Sequence, residues 1–188
     1  GKLVDAMVHD GLWDVYNDFH MGSAAGIIAS KFKVTREDQD AYGLRSQQRI
    51  AEAQSAGKFD HEIVPMQTTM AVKDKETGDV SHADVTVDRD ECNRPQTTLE
   101  ALQKLRPAFS KEGSVTAGNA SGLNDGAAAT VLMTAKNAAD RGIAPLATIR
   151  SWATAGVDPA IMGSGPIPAS RMALEKAGWG IDDLELVE

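Results

Sequence analysis

The feature that most constrains the fold is an apolar run, Ala127–Met133, that follows directly on a loop of small residues. An uncharged run of this kind is typical of a strand that is buried on both faces of a sheet. Beyond it, Thr134–Arg141 predicts a helix, Leu146–Ala153 another strand and Ala169–Ala177 another helix. This alternation of strands and helices favours a layered α/β core for the second part of the chain.

The two ends of the chain indicate that it is a piece of a longer protein. Leu184–Val187 begins one more strand just where the sequence stops, and Gly1–Asp5 has neither an initiator Met nor a signal pattern. We therefore expect an excised fragment. The strands from about residue 127 onward are then expected to lack their sheet neighbours and to expose apolar edges.

The first part of the chain has mainly helical patterns. Apolar residues at helical spacing predict a helix that begins near Ser23. A capping box at Thr35–Asp38 predicts a second helix, which runs to about Ala56 and is stopped by Gly57. A further capping box, Thr97–Glu100, opens a short helix before Pro107.

Between the second and third of these helices, the sequence has the patterns of extended strands. Ile63–Met66 and Met70–Val72 are short extended candidates, and Val80–Val87 alternates apolar with polar residues after a turn at Gly78. We expect small strands there. Residues 1–118 are therefore interpreted as a mainly helical block with a small sheet.

Composition excludes several classes of protein. The net charge of −8 disfavours a nucleic-acid partner, because no basic stripe offsets it. The apolar stretch Ala24–Ala29 is far shorter than the roughly 20 residues that cross a bilayer, so no membrane span is predicted. Cys92 is the single cysteine, which excludes an internal disulfide and favours a reducing compartment. The histidines lack zinc-motif spacing, and no metal site is predicted.

Several segments, in the same order and spread over nearly the whole chain, resemble the thiolase family. The most specific is Val115–Ala128, with its sequence Val-Thr-Ala-Gly-Asn-Ala-Ser-Gly-Leu-Asn-Asp-Gly-Ala-Ala. The others are Asn17–Gly22, Thr35–Asp40, Gly57–Pro65, Leu105–Phe109, Val157–Gly163 and Gly165–Ala169. The resemblance implies a partial thiolase fold, a layered αβαβα architecture. It implies a CoA-binding loop domain over 1–118, the end of the N-terminal core over 119–145 and the start of the C-terminal core over 146–188.

The resemblance also implies a reaction. Thiolases condense two acetyl-CoA to acetoacetyl-CoA and CoA, or cleave short 3-ketoacyl-CoA in reverse, with a Cys nucleophile and a second base. In the family those catalytic elements lie outside the region that corresponds to this chain, so no catalytic residue is expected in it. Cys92 has a context unlike either catalytic cysteine motif and is given no chemical role.

This segment is instead expected to bind acyl-CoA. By resemblance, Ser121 contacts the pantetheine arm, and Arg94 meets the nucleotide end of CoA, while the pair His20 and Met21 narrows the acyl pocket for a short chain. Small residues suit a slender arm, although a tight turn before a buried strand would also use them. The full set of predicted substrate-binding residues is Leu12, His20, Met21, Arg94, Ala108, Phe109, Ala117, Gly118, Ser121 and Leu123.

Three other classes of protein compete with the acyltransferase. A non-catalytic acyl-CoA or lipid-binding relative would keep the same core without the nucleophile. A nucleotide-binding oxidoreductase is disfavoured because Gly163-Ser164-Gly165 lacks the remaining glycine of the dinucleotide fingerprint, and a serine hydrolase because no Gly-x-Ser-x-Gly elbow occurs. For the intact protein the resemblance implies CoA as substrate with no tightly bound cofactor and a homodimer or homotetramer. It also implies fatty acid metabolism in the cytoplasm, or in the mitochondrial matrix or a peroxisome in a eukaryote.

Overall fold

The chain path alternates between two structural units in the computed structural model, which describes residues 1–187. The first unit combines Gly1–Thr35, Pro107–Val115 and the residues from 123 onward. The second unit combines Arg36–Arg106 and Thr116–Gly122. The domain borders expected from the resemblance, after residues 118 and 145, stay a prediction.

The described residues form helices and two small antiparallel sheets. The α-helices are α1 (Ala6–Gly11), α2 (Met21–Lys31), α3 (Arg36–Ser55), α4 (Leu99–Gln103), α5 (Ala135–Asp140) and α6 (Pro166–Ala177). The strands are β1 (Trp13–Asp14), β2 (Phe19–His20), β3 (Met66–Lys73) and β4 (Val80–Val87). Two 3₁₀ helices span Pro159–Ser164 and Ile181–Asp183.

In the first unit, α2 is the element on which the candidate site is built. It buries Ala24 and Ala29 and packs against the 3₁₀ helix Pro159–Ser164. A Cβ on Gly163 would lie 2.9 Å from the terminal Cδ1 of Ile28, so a larger residue there would require the Ile28 side chain to shift. Helix α2 begins two residues before the predicted Ser23. It contains three of the apolar residues behind that prediction, Ala24, Ile27 and Ile28, and the fourth, Phe32, follows its last residue.

In the second unit, α3 follows the sequence prediction closely. It begins immediately after Thr35 and ends at Ser55, two residues before Gly57. Gly57 has a φ of +66°, the left-handed conformation that suits glycine after a helix. Helix α4 is capped by Thr98, whose hydroxyl accepts from the Ala101 amide at 3.2 Å, and it ends at Gln103, ahead of the predicted stop at Pro107.

Strands β3 and β4 form a regular hairpin in the second unit. Met66 lies opposite Val87 and Lys73 opposite Val80, with every residue between them paired in turn. The connection closes through Asp74, whose carboxylate accepts from the Glu76 and Thr77 amides at 2.8 Å each. The extended candidates at 63–72 and 80–87 are thus one hairpin, in which β3 begins at Met66.

Three predicted strands are not formed in the described part of the chain. Ala127–Met133, Leu146–Ala153 and Leu184–Val187 pair with no other segment between residues 1 and 187. A strand is stabilised by hydrogen bonds to a neighbouring strand, and an apolar run without such a neighbour stays irregular. The helices predicted between and after them, α5 and α6, are present. Helix α6 begins at Pro166, three residues before the predicted Ala169, and ends at Ala177, where Gly178 follows with a φ of +71°.

Among residues 1–187, no helix is long and apolar enough to cross a membrane.

Candidate functional site

A tight hairpin brings His20 to the start of α2. Asp14, the last residue of β1, is buried, and its carboxylate accepts from the Asn17 side chain at 2.7 Å and from the Tyr16 amide at 2.9 Å. The bond from the Asn17 side chain is the main cause that lowers the pKa of Asp14. Trp13 Nε1 also donates to Asp18 at 3.1 Å, across the same turn. These bonds fix the loop that precedes Phe19 and His20.

His20 caps α2 through its own ring. Nδ1 accepts from the Gly22 amide at 2.9 Å, which satisfies one of the unpaired donors of the helix start. In the neutral imidazole, the proton then resides on Nε2. His20 is therefore arranged to donate a hydrogen bond through Nε2, and its other nitrogen is already engaged as an acceptor.

Phe109 packs on this cap. Its ring stacks on that of His20, with centroids 4.8 Å apart and an interplanar angle of 22°. A Cβ on Gly22 would overlap the Phe109 ring, so the stack requires glycine at position 22. The structure thus brings together two predicted substrate-binding residues, and it adds Gly22, which the sequence prediction did not include among them.

The other predicted residues of the first unit lie on the same segments. The Met21 amide donates to the Leu12 carbonyl at 2.8 Å, which joins the end of the hairpin to its beginning. The Ala108 amide donates to the Val115 carbonyl at 2.9 Å and closes the loop that carries Phe109. Leu123 also belongs to this unit and is mostly exposed.

A cavity of about 700 Å³ lies between α2 and the loop that carries Phe109. Its walls include the small residues Gly22, Ser23 and Gly26, and the charged Lys31 and Glu112. Of the predicted residues, Phe109 lines it directly. A cavity with small, hydroxyl-bearing and apolar walls has the character of a small-molecule site.

In the second unit, two of the residues predicted beside the pantetheine arm, Ala117 and Gly118, lie on a tight turn, Thr116–Asn119, and Ser121 follows it two residues later. The Asn119 amide donates to the Thr116 carbonyl at 3.3 Å, and the Thr116 hydroxyl accepts from the Gly118 amide at 3.2 Å. Thr116 is fully buried, whereas Ala117 and Ser121 are exposed. The turn therefore presents small side chains outward from a buried base.

The turn is anchored to α3 by a polar network. Asn119 Nδ2 donates to Asp40 Oδ1 at 3.0 Å, and Arg36 Nε donates to Asp40 Oδ2 at 2.7 Å. Asp40 has no exposed surface. In the sequence, Arg36 and Asp40 belong to a family motif, but nothing there assigns them a role. Their spacing of four residues on a helix is compatible with an ion pair, and it does not indicate that the pair is buried.

Arg94 is held by its backbone at the surface of the second unit. Its amide donates to Gln47 Oε1 at 2.7 Å, and the Asn93 amide group donates to the same oxygen at 2.9 Å. The side chain of Arg94 is exposed. Because the predicted residues are divided between two units, their assembly into one binding site stays a prediction.

Comparison with family models assigns both parts of the chain. Residues 1–136 match the model "Thiolase, N-terminal domain", and residues 143–188 match "Thiolase, C-terminal domain". Together these matches span almost the entire sequence, as the motifs had indicated.

Relatives with curated names agree with these models. The chain is 57% identical over 187 residues to an acetyl-CoA acetyltransferase of Paracoccus denitrificans, and 58% identical to one of Rhizobium meliloti. Each alignment covers 100% of this chain and 45% of the relative. The chain thus spans less than half the length of the curated relatives that it matches.

Solved structures share the fold. The acetyl-CoA acetyltransferase of Bacillus anthracis superposes with a TM-score of 0.83 at 42% identity, over 99% of this chain and 44% of that one. The human mitochondrial 3-ketoacyl-CoA thiolase gives a TM-score of 0.84 at 42% identity, over 98% of this chain and 44% of that one. The α/β class predicted from the sequence, as part of a larger layered fold, is confirmed by these likenesses.

Proposed function

Because the chain belongs to the thiolase family, we propose that it is the CoA-binding segment of an acetyl-CoA acetyltransferase. The complete protein would condense two acetyl-CoA to acetoacetyl-CoA and CoA, or cleave short 3-ketoacyl-CoA with CoA. The observation that carries this proposal is the identity of 57% over the whole chain to a relative named for that activity. The residues of the segment itself support a binding role.

The turn Thr116–Asn119 and the residues that follow it would form a wall for the pantetheine arm. Ala117 and Ser121 are exposed and small, so a slender chain can lie close to the backbone beside them. The Ser121 hydroxyl can donate to or accept from the amides of pantetheine. Gly118 and Leu123 would complete this wall.

His20 and Met21 would border the acyl group. With Nδ1 bound to the Gly22 amide, the Nε2 proton of His20 is available to a thioester carbonyl, which makes His20 a hydrogen-bond donor and not the transferring base. Met21, the next residue, would limit chain length through its volume. Replacing Met21 by Ala is expected to extend activity towards longer acyl-CoA, and unchanged chain-length selectivity would contradict this role.

Arg94 would hold the nucleotide end of CoA. Leu12, Ala108 and Phe109 are expected from the family resemblance to contact the same end, but Leu12 lies beside Met21 and Phe109 beside His20, so we propose that these residues border the arm near the acyl group. An exposed guanidinium such as that of Arg94 can pair with phosphate through two donors. An aromatic face such as that of Phe109, 42% exposed and stacked on His20, can pack on the arm. In this proposal CoA is a substrate, and no tightly bound cofactor or metal takes part.

The proposal extends to the setting of the complete protein. We infer a homodimer or homotetramer without nucleic-acid or membrane partners, and a cytoplasmic location, by analogy with the family. Size-exclusion chromatography with light scattering tests the first inference, and fractionation of the source cells tests the second.

Replacing Ser121 by Trp in the complete protein tests the binding role. The indole would occupy the space of the arm, so we expect the KM for acetoacetyl-CoA to rise about tenfold or more. Ser81→Trp, an equal increase in volume on the exposed hairpin strand β4, serves as control and is expected to leave KM unchanged. Unchanged CoA affinity and rate in Ser121→Trp would overturn the proposed contact of Ser121 with the pantetheine arm. CoA binding without turnover in the complete wild-type protein would instead favour the alternative function, a non-catalytic acyl-CoA-binding protein.

A further inference from the structure

We propose that Asp40 is a positioning residue for the CoA-binding turn, acting through Asn119. The inference rests on the proposed role of the turn Thr116–Asn119 in holding the pantetheine arm. It assigns a function to three residues, Arg36, Asp40 and Asn119, that would not themselves touch the substrate. The evidence is a chain of hydrogen bonds in which every link fixes the next.

Both oxygens of Asp40 are engaged, and in different directions. Oδ2 accepts from Arg36 Nε at 2.7 Å, and Oδ1 accepts from Asn119 Nδ2 at 3.0 Å. The carboxylate is 0% exposed, so water does not compete for either bond. Because one oxygen is tied to the first turn of α3, the other is a fixed acceptor for Asn119.

The amide of Asn119 is oriented from both ends. While its Nδ2 donates to Asp40, its Oδ1 accepts from the Thr116 amide at 2.8 Å. An inverted amide would face a donor with a donor at one end and an acceptor with an acceptor at the other. The bond to Asp40 therefore selects the one orientation that closes the turn at Thr116.

Close packing fixes the same turn from its other side. A Cβ on Gly118 would lie 2.5 Å from Leu102 and 2.6 Å from Leu105, and a Cβ on Gly43 would lie 3.0 Å from the Gly118 carbonyl. The glycine in the middle of α3 is thus explained by the approach of the turn. A shift of the turn would have to move α3 or the residues around α4.

Arg36 joins the two supports. Besides Asp40, its guanidinium binds two carbonyls, because Nη2 donates to Leu102 O at 2.8 Å and to Leu105 O at 3.1 Å. These are the residues whose side chains lie against Gly118. The guanidinium of Arg36 therefore holds both Asp40, which accepts from Asn119, and the segment of Leu102 and Leu105, which packs against Gly118. Several donors on one planar group are needed for this, as arginine provides.

The test exchanges the two partners of the central hydrogen bond. Asp40→Asn alone places an amide donor against the donor of Asn119, and Asn119→Asp alone places two carboxylates together. The double variant D40N/N119D can restore every bond and reverses only the central one, because the new amide can accept from Arg36 and donate to the new carboxylate, which still accepts from Thr116. Kd for CoA and the kinetic constants are measured in the complete protein.

We expect each single variant to weaken CoA binding about tenfold, with KM rising more than kcat falls, and the double variant to recover most of the loss. Asp140→Asn, which removes an exposed ion pair of the same spacing on α5, is the matched control and should leave Kd unchanged. A purely structural role would lower the unfolding midpoint but leave Kd of the folded protein unaltered.

The outcomes separate this inference from the function beneath it. If the wild type does not bind CoA, the proposed function fails. If it binds CoA but the folded single variants bind equally well, or if the exchange rescues nothing, the positioning role is wrong. Should either single variant not fold, N119S takes its place, because it removes the anchor of the turn and leaves Asp40 paired with Arg36; unchanged Kd in N119S overturns the inference.

Discussion

At the scale of single residues, Gly22 shows how an absent side chain shapes the candidate site. The ring of Phe109 occupies the volume that a Cβ on residue 22 would need, and the Gly22 amide donates to the His20 ring that stacks on Phe109. One residue thus serves both the cap of α2 and the aromatic stack. The proposed donor role of His20 depends on this arrangement.

Replacing Gly22 by Ala is expected to displace Phe109 and to destabilise the protein by about 1–3 kcal/mol, because the new methyl overlaps the ring. Displacement of the Phe109 ring should also weaken catalysis in the complete protein, because the orientation of His20 changes when the ring no longer stacks on it. Denaturant unfolding and KM for acetoacetyl-CoA measure the two effects.

Gly26, one turn further along α2, provides the control. A Cβ there meets no atom within 4 Å, so Gly26→Ala gains helix propensity, up to about 1 kcal/mol, without a clash. Equal stability changes for the two variants would show that the Phe109 ring yields freely and that the stack carries no constraint.

At the scale of elements, the β3–β4 hairpin depends on the turn at Asp74. The carboxylate accepts from the Thr77 and Glu76 amides, and these bonds hold the pKa of Asp74 below its ordinary value, the bond to Thr77 contributing most. Since the ionised form is the one that the turn binds, the hairpin gains stability from Asp74 above the ordinary pKa of an aspartate. That gain is lost as pH falls through the lowered pKa of the folded state.

An NMR titration of the Glu76 and Thr77 amides is therefore expected to give a midpoint below that of an unperturbed aspartate. Asp74→Asn keeps an acceptor oxygen and removes the titration of this carboxylate, so the Thr77 amide should lose the transition that Asp74 causes. A midpoint at or above the ordinary value would mean that the turn does not prefer the carboxylate.

The elements differ in how far the sequence alone predicts them. The bounds of α3 and the end of α6 follow from local chemistry, Thr35 before one helix and glycines at positions 57 and 178 after the two, whereas the start of α6 lies three residues before the predicted Ala169. The hairpin follows from alternation around Gly78. Ala127–Met133 lacks any such local determinant. A buried strand forms only when neighbouring strands accept and donate its backbone hydrogen bonds. The apolar run Ala127–Met133 therefore predicts a strand, but the sequence of the run does not show whether a neighbouring strand is present.

The same limit applies to the site. The small residues around Ser121 and the pair at positions 20 and 21 were identified from motifs. The burial of Asp40 was not, because it depends on a partner 79 residues away in Asn119. Gly22 appeared only as part of a motif, since nothing in the local pattern places an aromatic ring over it.

At the scale of the whole molecule, the described chain leaves large apolar side chains uncovered. Val131 is 84% exposed, Leu146 107% and Trp152 75%, all in the region predicted to be core strands. Apolar surface of this extent normally lies against other protein. We expect the polypeptide of residues 1–188 by itself to bind the dye ANS and to self-associate.

The same polypeptide is expected to show no thiolase turnover, because the nucleophile and the base of the family lie outside the segment. A thiolysis assay that follows loss of acetoacetyl-CoA measures this directly. CoA-dependent cleavage by purified residues 1–188 would contradict the proposal that this segment binds CoA but lacks the catalytic residues.

For the exposed apolar side chains, ANS fluorescence equal to that of a compact control protein would contradict the expected exposure.

The interleaved chain path also sets an order of events on the ribosome. All residues of the second unit, Arg36–Arg106 and Thr116–Gly122, have been synthesised once Gly122 is added, whereas the first unit still awaits everything from Leu123 onward. Once the chain up to Gly122 has left the exit tunnel of the ribosome, the bond between Asp40 and Asn119 can close while residues 1–35 still lack part of their later partners. Slow codons placed further downstream of Gly122, by the length of chain that the tunnel holds, would lengthen the interval in which the second unit matures first.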